Sequence, residues 1–423
     1  MKRKTMIRTV LLGLGLLVLT GCQGTGRTVI GNVDKHQVKE DLIQYDVQSV
    51  AEGPSGIVAI EEWEELLPEY VASFKRNDEM VQTTYGGTGP QDYLEDYPYL
   101  KTIYEGYGFS KHYERAKGHT YALQDVLGTQ RPKGGASCLS CKTSQFTEAL
   151  EQEGPSVHRL NFEEFSAERI TIGMTCADCH AEAPGIVNAR RYHILEGAGS
   201  LPGDIKLSNR EMACAQCHVE YYMSPEENAT TLPWTEGLGA EEAYAYYQEE
   251  GFSDWEHPGT GAKVLKAQHP ETETFYGSVH HQAGLDCASC HMPVNDDSGR
   301  MMHEHHWTSP LTTVEDSCLT CHEGDTEAVM IQEAEAIQKA VTDQTDEIGK
   351  KLFDMIEKLT GEVEAGNRSE AELDELRELQ REAQFYWDYV FVENSEGFHN
   401  HTKQLGYLRH AEQLIDEAMR IMK

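Results

Sequence analysis

Three things are scarce in this 423-residue chain, and each scarcity excludes something. No window holds the ~18–20 consecutive apolar residues that a spanning helix needs, which excludes a polytopic membrane protein. Positive charge is thin: 36 Lys+Arg stand against 71 Asp+Glu, a formal net charge of −35. That balance argues against nucleic acid or another polyanion as the main partner. Unpaired cysteine is almost missing as well. Of 11 cysteines, only Cys22 stands outside a C-x-x-C pair, which leaves none for a conventional disulfide framework. What remains still makes a folded body, because 39% hydrophobic residues with 9% aromatics is too apolar for disorder at this charge.

The first residues read as an export signal. Lys2, Arg3, Lys4 and Arg8 form a basic region, Val10 to Leu19 is purely apolar, and Leu19-Thr20-Gly21-Cys22 follows. The run is too short to cross a bilayer and has the proportions of a secretory signal. Small residues leading into Cys22 resemble a lipobox, so the expectation is a lipid on Cys22 and an extracytoplasmic, membrane-tethered protein. Removal of the segment takes away basic residues and no acidic ones, so the mature chain is more acidic still.

The other cysteines form five pairs: Cys138/Cys141, Cys176/Cys179, Cys214/Cys217, Cys287/Cys290 and Cys318/Cys321. Four are followed at once by histidine, at His180, His218, His291 and His322. C-x-x-C-H is the attachment signature of c-type haem: two thiols bond the porphyrin and the adjacent imidazole is placed under the iron. Zinc ribbons also pair C-x-x-C knuckles but need no histidine after nearly every one. Thioredoxin-like dithiols need a βαβ setting and are rarely iterated. The fifth pair reads Cys138-Leu-Ser-Cys-Lys142, so lysine stands where histidine is expected. Lysine ligates only as a neutral amine, a state that burial beside a metal cation favours. A haem held by Lys142 and unmatched on its other face would have an open coordination position, which separates an enzyme from a wire.

The chain has 19 histidines, so ligands for the far faces of four haems are in ample supply. The pairs begin at residues 138, 176, 214, 287 and 318, and the interval between the third and fourth is about twice the others. That stretch must hold something beyond haem attachment.

Together Cys138-Leu-Ser-Cys-Lys142, Cys214-Ala-Gln-Cys-His-Val-Glu-Tyr-Tyr222, Leu265-Lys-Ala-Gln-His-Pro270 and Cys287-Ala-Ser-Cys-His-Met-Pro293 resemble the pentahaem, ammonia-forming cytochrome c nitrite reductases, from about Tyr104 to the C-terminus. The resemblance implies five covalently bound haem c groups. It also implies nitrite bound at the haem of Lys142 and surrounded by Arg131, Tyr221 and His269. A guanidinium neutralises and orients an anion, a histidine passes protons near neutral pH, and a phenol holds intermediates loosely. Lys133 is a second candidate for the anion, because Arg131 to Cys138 is short compared with relatives. The same resemblance implies a Ca2+ site from Glu220, the Tyr221 and Lys266 carbonyls and Gln268, a mixed oxygen set that suits a hard cation. It also implies distal imidazoles at His305, His119, His399 and His280 for the second to fifth haems. His281, His303, His306 and His401 are neighbours able to claim those roles.

The expected fold is mainly α: a multihaem cytochrome c fold of short helices and long loops around five haems, followed by long C-terminal helices. The expected layout is a signal over 1–21, a tether over 22–58, a haem-bearing catalytic region over 59–325, and a long-helix region over 326–423. Ile337, Val341, Ile348, Leu352, Ile356 and Leu359 recur at helical spacing, Gly366-Asn367 breaks two helices, and a last helix runs from Lys403 to Met422. The Glu-rich run from Glu370 to Glu382 reads as a solvated helix face. By resemblance the partners are a second copy of the chain and a membrane-bound, quinol-oxidising multihaem cytochrome that donates electrons. A pentahaem electron carrier without a substrate site is the alternative function, as is a reductase of hydroxylamine or sulfite. Lys142 and the long third interval argue against a plain carrier.

Overall fold

In the computed structural model the described residues are 54, 56–180, 187–295 and 302–423. Cys22, the signal segment, nearly all of the tether and the Pro184-Gly185 break lie outside them. Each C-x-x-C motif is a single tight turn. The amide of His180 donates to the carbonyl of Cys176 (2.8 Å), that of His218 to Cys214 (3.1 Å) and that of His322 to Cys318 (3.0 Å). This i to i+4 closure sets both sulphurs and the imidazole on one side of one turn. Local side chains start the turns: Thr175 with Asp178, Ser208 with Glu211 and Asp286 with Ser289 form reciprocal capping boxes. The lysine motif closes more tightly, with the Lys142 amide on the carbonyl of Leu139 at 2.9 Å.

Between the turns, among the described residues, run loops, short helices and three two-stranded antiparallel ribbons. One ribbon pairs β1 (Trp255–Glu256) with β2 (Lys263–Val264), Trp255 opposite Val264, and delivers the chain to Lys266-Ala-Gln-His269. The C-terminal quarter is three long helices: α1 (Glu327–Ala365), α2 (Glu370–Phe391) and α3 (His401–Ile421). Gly366, in the left-handed region at φ 62°, ends α1, and a capping box between Ser369 and Glu372 starts α2. The last helix begins two residues before the expected Lys403, because the Asn400 side chain accepts from the Lys403 amide and caps it there.

The Glu-rich start of α2 is solvated at Glu370, Glu372, Glu375 and Glu378, with Leu373 and Leu376 turned inward. From Gln380 to Val390 the same helix is buried almost all round, and it carries Gln380, Arg381, Gln384 and Asp388 into the interior. These polar groups are there to satisfy loop backbone. Arg381 donates to the carbonyls of Lys263 and Phe252, both at 2.7 Å, and Gln384 to that of Ile103 at 3.2 Å. The largest core cluster joins these helices to Leu100, Ile103, Tyr104, Tyr247 and Leu265. Three much smaller clusters lie among the motif turns. Among the motif turns, then, side chains form only small patches of core.

Candidate functional site

Three of the four C-x-x-C-H histidines are met by a second imidazole. The ring of His180 lies 6.3 Å from that of His305, His218 lies 6.0 Å from His119, and His291 lies 6.2 Å from His399. His322 and His280 are within electrostatic reach of one another. A metal–imidazole bond of about 2 Å, plus roughly 1.1 Å from ring nitrogen to ring centre, puts two rings on opposite sides of one ion about 6 Å apart. The nitrogens are sorted accordingly. Nδ1 of His291 is held by the Thr308 carbonyl (3.0 Å), Nδ1 of His305 by the His303 carbonyl (2.9 Å), and Nδ1 of His399 by Glu393 (2.6 Å), which leaves Nε2 for an ion. His281, by contrast, has Nδ1 taking the Gly277 amide (3.2 Å) and Nε2 facing Glu211 (3.5 Å). His401 is exposed, and His306 packs among Arg76, Glu79 and Glu304. All ten described cysteines are free thiols. Donor type, spacing and tautomer therefore fit c-type haem.

The motif cysteines are not equally exposed. Nine motif cysteines are half-buried, whereas Cys321 is exposed. Its turn is the last before α1 and lies at the surface, where Thr320, His322, Glu323 and Gly324 are exposed with it. The Thr320 hydroxyl meets the Cys321 sulphur at 4.0 Å. Cys321 keeps its place in the turn, because the Cys321 amide donates to the Cys318 carbonyl at 3.1 Å.

The motif sulphurs are chained together. The Cys217 sulphur donates to the Cys141 carbonyl at 3.6 Å and the Cys141 sulphur to the Gln216 carbonyl at 3.4 Å, and Cys214 and Cys287 are electrostatic neighbours. Cys290 feels Cys318 and Cys321, and Cys179 feels Cys217. The first, third, fourth and fifth motifs thus follow one another in space, and the second sits beside the third.

The lysine motif stands at the opposite end of that chain, and the residues expected around substrate meet there. The Tyr221 phenol is buried; burial and the neighbouring Cys141 and Cys138 raise its pKa well above the usual phenol range, against the pull of Arg131. Arg131 stacks 4.1 Å over Phe109 and donates to the Thr129 hydroxyl at 3.2 Å, with no ion pair among the described residues. Lys133 is spent elsewhere, 3.2 Å from Glu163 and 4.9 Å over Phe162. Burial pushes the His269 imidazole down to about 4; Glu271 opposes this, and Lys142, His218 and Lys266 add to it. Arg131, Tyr221, His269 and Lys142 are therefore neighbours in one half-buried place rich in cationic groups, an electrostatic setting that suits an anion.

Behind it lies a knot of buried carboxylates. Glu220 accepts from the Tyr247 hydroxyl (2.8 Å) and the Gln268 amide (2.6 Å), while the Gln268 side chain donates to the Lys266 carbonyl at 3.0 Å. Burial raises Glu220 well above the carboxylate range, with nearby Glu273 and Asp254 adding to the effect. One oxygen of Glu273 is buried with no hydrogen-bond partner. This oxygen-rich, under-compensated group suits a hard cation, and the donors expected for calcium are at its edge.

Three features were out of reach of the sequence. Lys266 bonds Asp388 of α2 at 3.0 Å, and both side chains are essentially fully buried. Arg191 threads three motif turns: it donates to the Ser140 carbonyl, bonds Asp178 at 2.6 Å, and its amide bonds Gln216 at 2.9 Å. Glu393 backs His399. Each lies at the interior position of a motif or in a region with no motif at all, and only the tertiary contact reveals it.

The fold and the paired imidazoles define a mainly helical, multihaem c-type cytochrome. Residues 59–423 match the cytochrome c552 family model. The chain is 33% identical over 402 residues to the cytochrome c nitrite reductase subunit NrfA of Nitratidesulfovibrio vulgaris, spanning 83% of this chain and 76% of that one. It is 32% identical over 377 residues to cytochrome c-552 of Desulfotalea psychrophila, spanning 82% and 72%. The solved cytochrome c nitrite reductase of Desulfovibrio desulfuricans, described with two calcium sites, superposes with a TM-score of 0.79 at 29% identity over 87% of each chain. The chain belongs to the cytochrome c nitrite reductase family and binds haem c.

Proposed function

We propose that the protein reduces nitrite to ammonium by six electrons at a haem held by Cys138, Cys141 and Lys142. The observation that carries this reading is the gathering of Arg131, Tyr221 and His269 at the one C-x-x-C motif that ends in lysine. Four further haems, held by the C-x-x-C-H motifs with His305, His119, His399 and His280 opposite, pass electrons along the chain of motifs. When bound, the Lys142-held haem supplies the electrons and the metal face for the nitrogen of nitrite.

The protein groups do the rest. The Arg131 guanidinium, free of carboxylates and stiffened on Phe109, neutralises and orients the anion. Tyr221 stays a phenol at neutral pH and offers its hydroxyl to oxygen or nitrogen. His269 is a neutral imidazole before substrate arrives, and an entering anion favours its protonation, so substrate and proton are taken up together. Ca2+ held by Glu220, the Tyr221 and Lys266 carbonyls and Gln268 fixes the two segments that carry Tyr221 and His269.

Among the described residues no helix is long and apolar enough to cross a membrane. The signal-like start, the lipid on Cys22, an extracytoplasmic location, a membrane-bound quinol-oxidising cytochrome as donor, and a homodimer through the long helices complete the reading. So does the layout of tether, haem region and helical region.

The test is electron paramagnetic resonance of the oxidised holoprotein. The expected result is one high-spin haem beside four low-spin ones, with nitrite altering the high-spin signal alone. An all-low-spin spectrum that nitrite leaves unchanged would overturn the proposal.

A further inference from the structure

Glu393 lies just past the end of α2, and its side chain is fully buried. Its Oε1 is 2.6 Å from Nδ1 of His399, and its Oε2 accepts from the Ser395 hydroxyl and the Gln404 amide. Every partner is a donor, which is the pattern of an ionised carboxylate. The next residue, Asn394, holds Glu271 through its side-chain amide, and the other oxygen of Glu271 stands 3.6 Å from Nδ1 of His218. Among the other motif and distal imidazoles, His291 and His305 rest on the backbone carbonyls of Thr308 and His303, and Nδ1 of His322 stands farther from its carboxylate, 3.9 Å from Asp325.

That contrast has an electronic consequence. A carboxylate behind a metal-bound imidazole draws its N–H proton and makes the ligating nitrogen more basic, which favours the ferric ion; a neutral carbonyl does so less. We infer that Glu393, and Glu271 held by Asn394, are positioning residues that lower the reduction potentials of the haems at His399 and His218. Two consecutive residues at the end of one helix would thereby grade the interior of the electron path. The inference rests on the proposed iron ligation by these histidines.

The experiment is a spectropotentiometric titration of holoprotein carrying Glu393→Gln, which keeps the shape and an amide oxygen for Nδ1 of His399 but removes the charge. The expected result is a rise in one low-spin midpoint alone, by about a tenfold change in its ferric–ferrous equilibrium, or ~59 mV for one electron. A parallel His399→Ala protein separates the two layers of the argument, because it should turn one low-spin haem high-spin. If it does and Glu393→Gln moves no midpoint, the inference is overturned and the ligand reading stands. If His399→Ala leaves the spin count unchanged, the ligand reading itself fails and takes the inference with it.

Discussion

A His269→Asn protein reduces nitrite roughly 10²–10⁴-fold more slowly than the wild type with saturating artificial donor, the range that loss of a positioned proton carrier produces. The imidazole is half-buried at the lysine motif, and its place is fixed on both sides. Its own amide donates to the Val219 carbonyl at 3.3 Å, and its carbonyl takes the Glu271 amide at 2.8 Å. Asparagine keeps that backbone and a polar side chain but cannot carry a proton. With burial holding the imidazole near 4, it is uncharged at neutral pH until an anion enters. The substitution therefore affects proton delivery more than electrostatic attraction, so kcat should fall more than KM rises. Steady-state kinetics on protein with unchanged haem content and low-spin spectrum is the check. A rate within twofold of wild type would contradict the role.

An Asp388→Leu protein loses about 3–5 kcal/mol of stability, the usual cost of removing one partner of a buried ion pair. Asp388 is the acceptor for three interior donors: the Lys266 amine, the Ala267 amide at 3.0 Å and the Tyr104 hydroxyl. Burial raises the Asp388 pKa and lowers that of Lys266, each against the pull of the other, so the pair adds little net stability and its disruption is what costs. The double change Lys266→Met with Asp388→Leu should accordingly recover the part of the loss due to the unpaired lysine, but not the part due to the Ala267 amide and Tyr104 hydroxyl. Lys266 lies three residues before His269, so the single variant should also lose nitrite turnover. Denaturant unfolding followed by far-ultraviolet circular dichroism reads the first effect. A single variant as stable as the wild type would refute it.

What could be read in the sequence was local or iterated. A C-x-x-C-H turn is closed by its own backbone, so the repeats announced themselves. The break at Gly366 is a backbone conformation that glycine adopts freely, and the helices around it follow from periodic Ile, Val and Leu. Choices among neighbours were not local. Arg131 differs from Lys133 only because Glu163 occupies the latter, and His280 from His281 only because Gly277 and Glu211 engage both nitrogens of His281. The exposure of Cys321 was equally hidden, since its motif matches the buried ones letter for letter at the positions that count. So was the inward turn of α2 after Gln380. Arg381, Gln384 and Asp388 look like a surface pattern until the loop carbonyls and the lysine they serve are seen. Polar groups placed to satisfy distant backbone have no period to betray them.

The most direct measurement of the central claim is an electron and product count on the purified holoprotein, with a chemically reduced donor and limiting nitrite. The expected result is six donor electrons consumed and one ammonium released per nitrite, with no free nitric oxide or hydroxylamine accumulating. One electron per nitrite with nitric oxide as product, or no nitrite consumption by a fully haem-loaded protein, would contradict it.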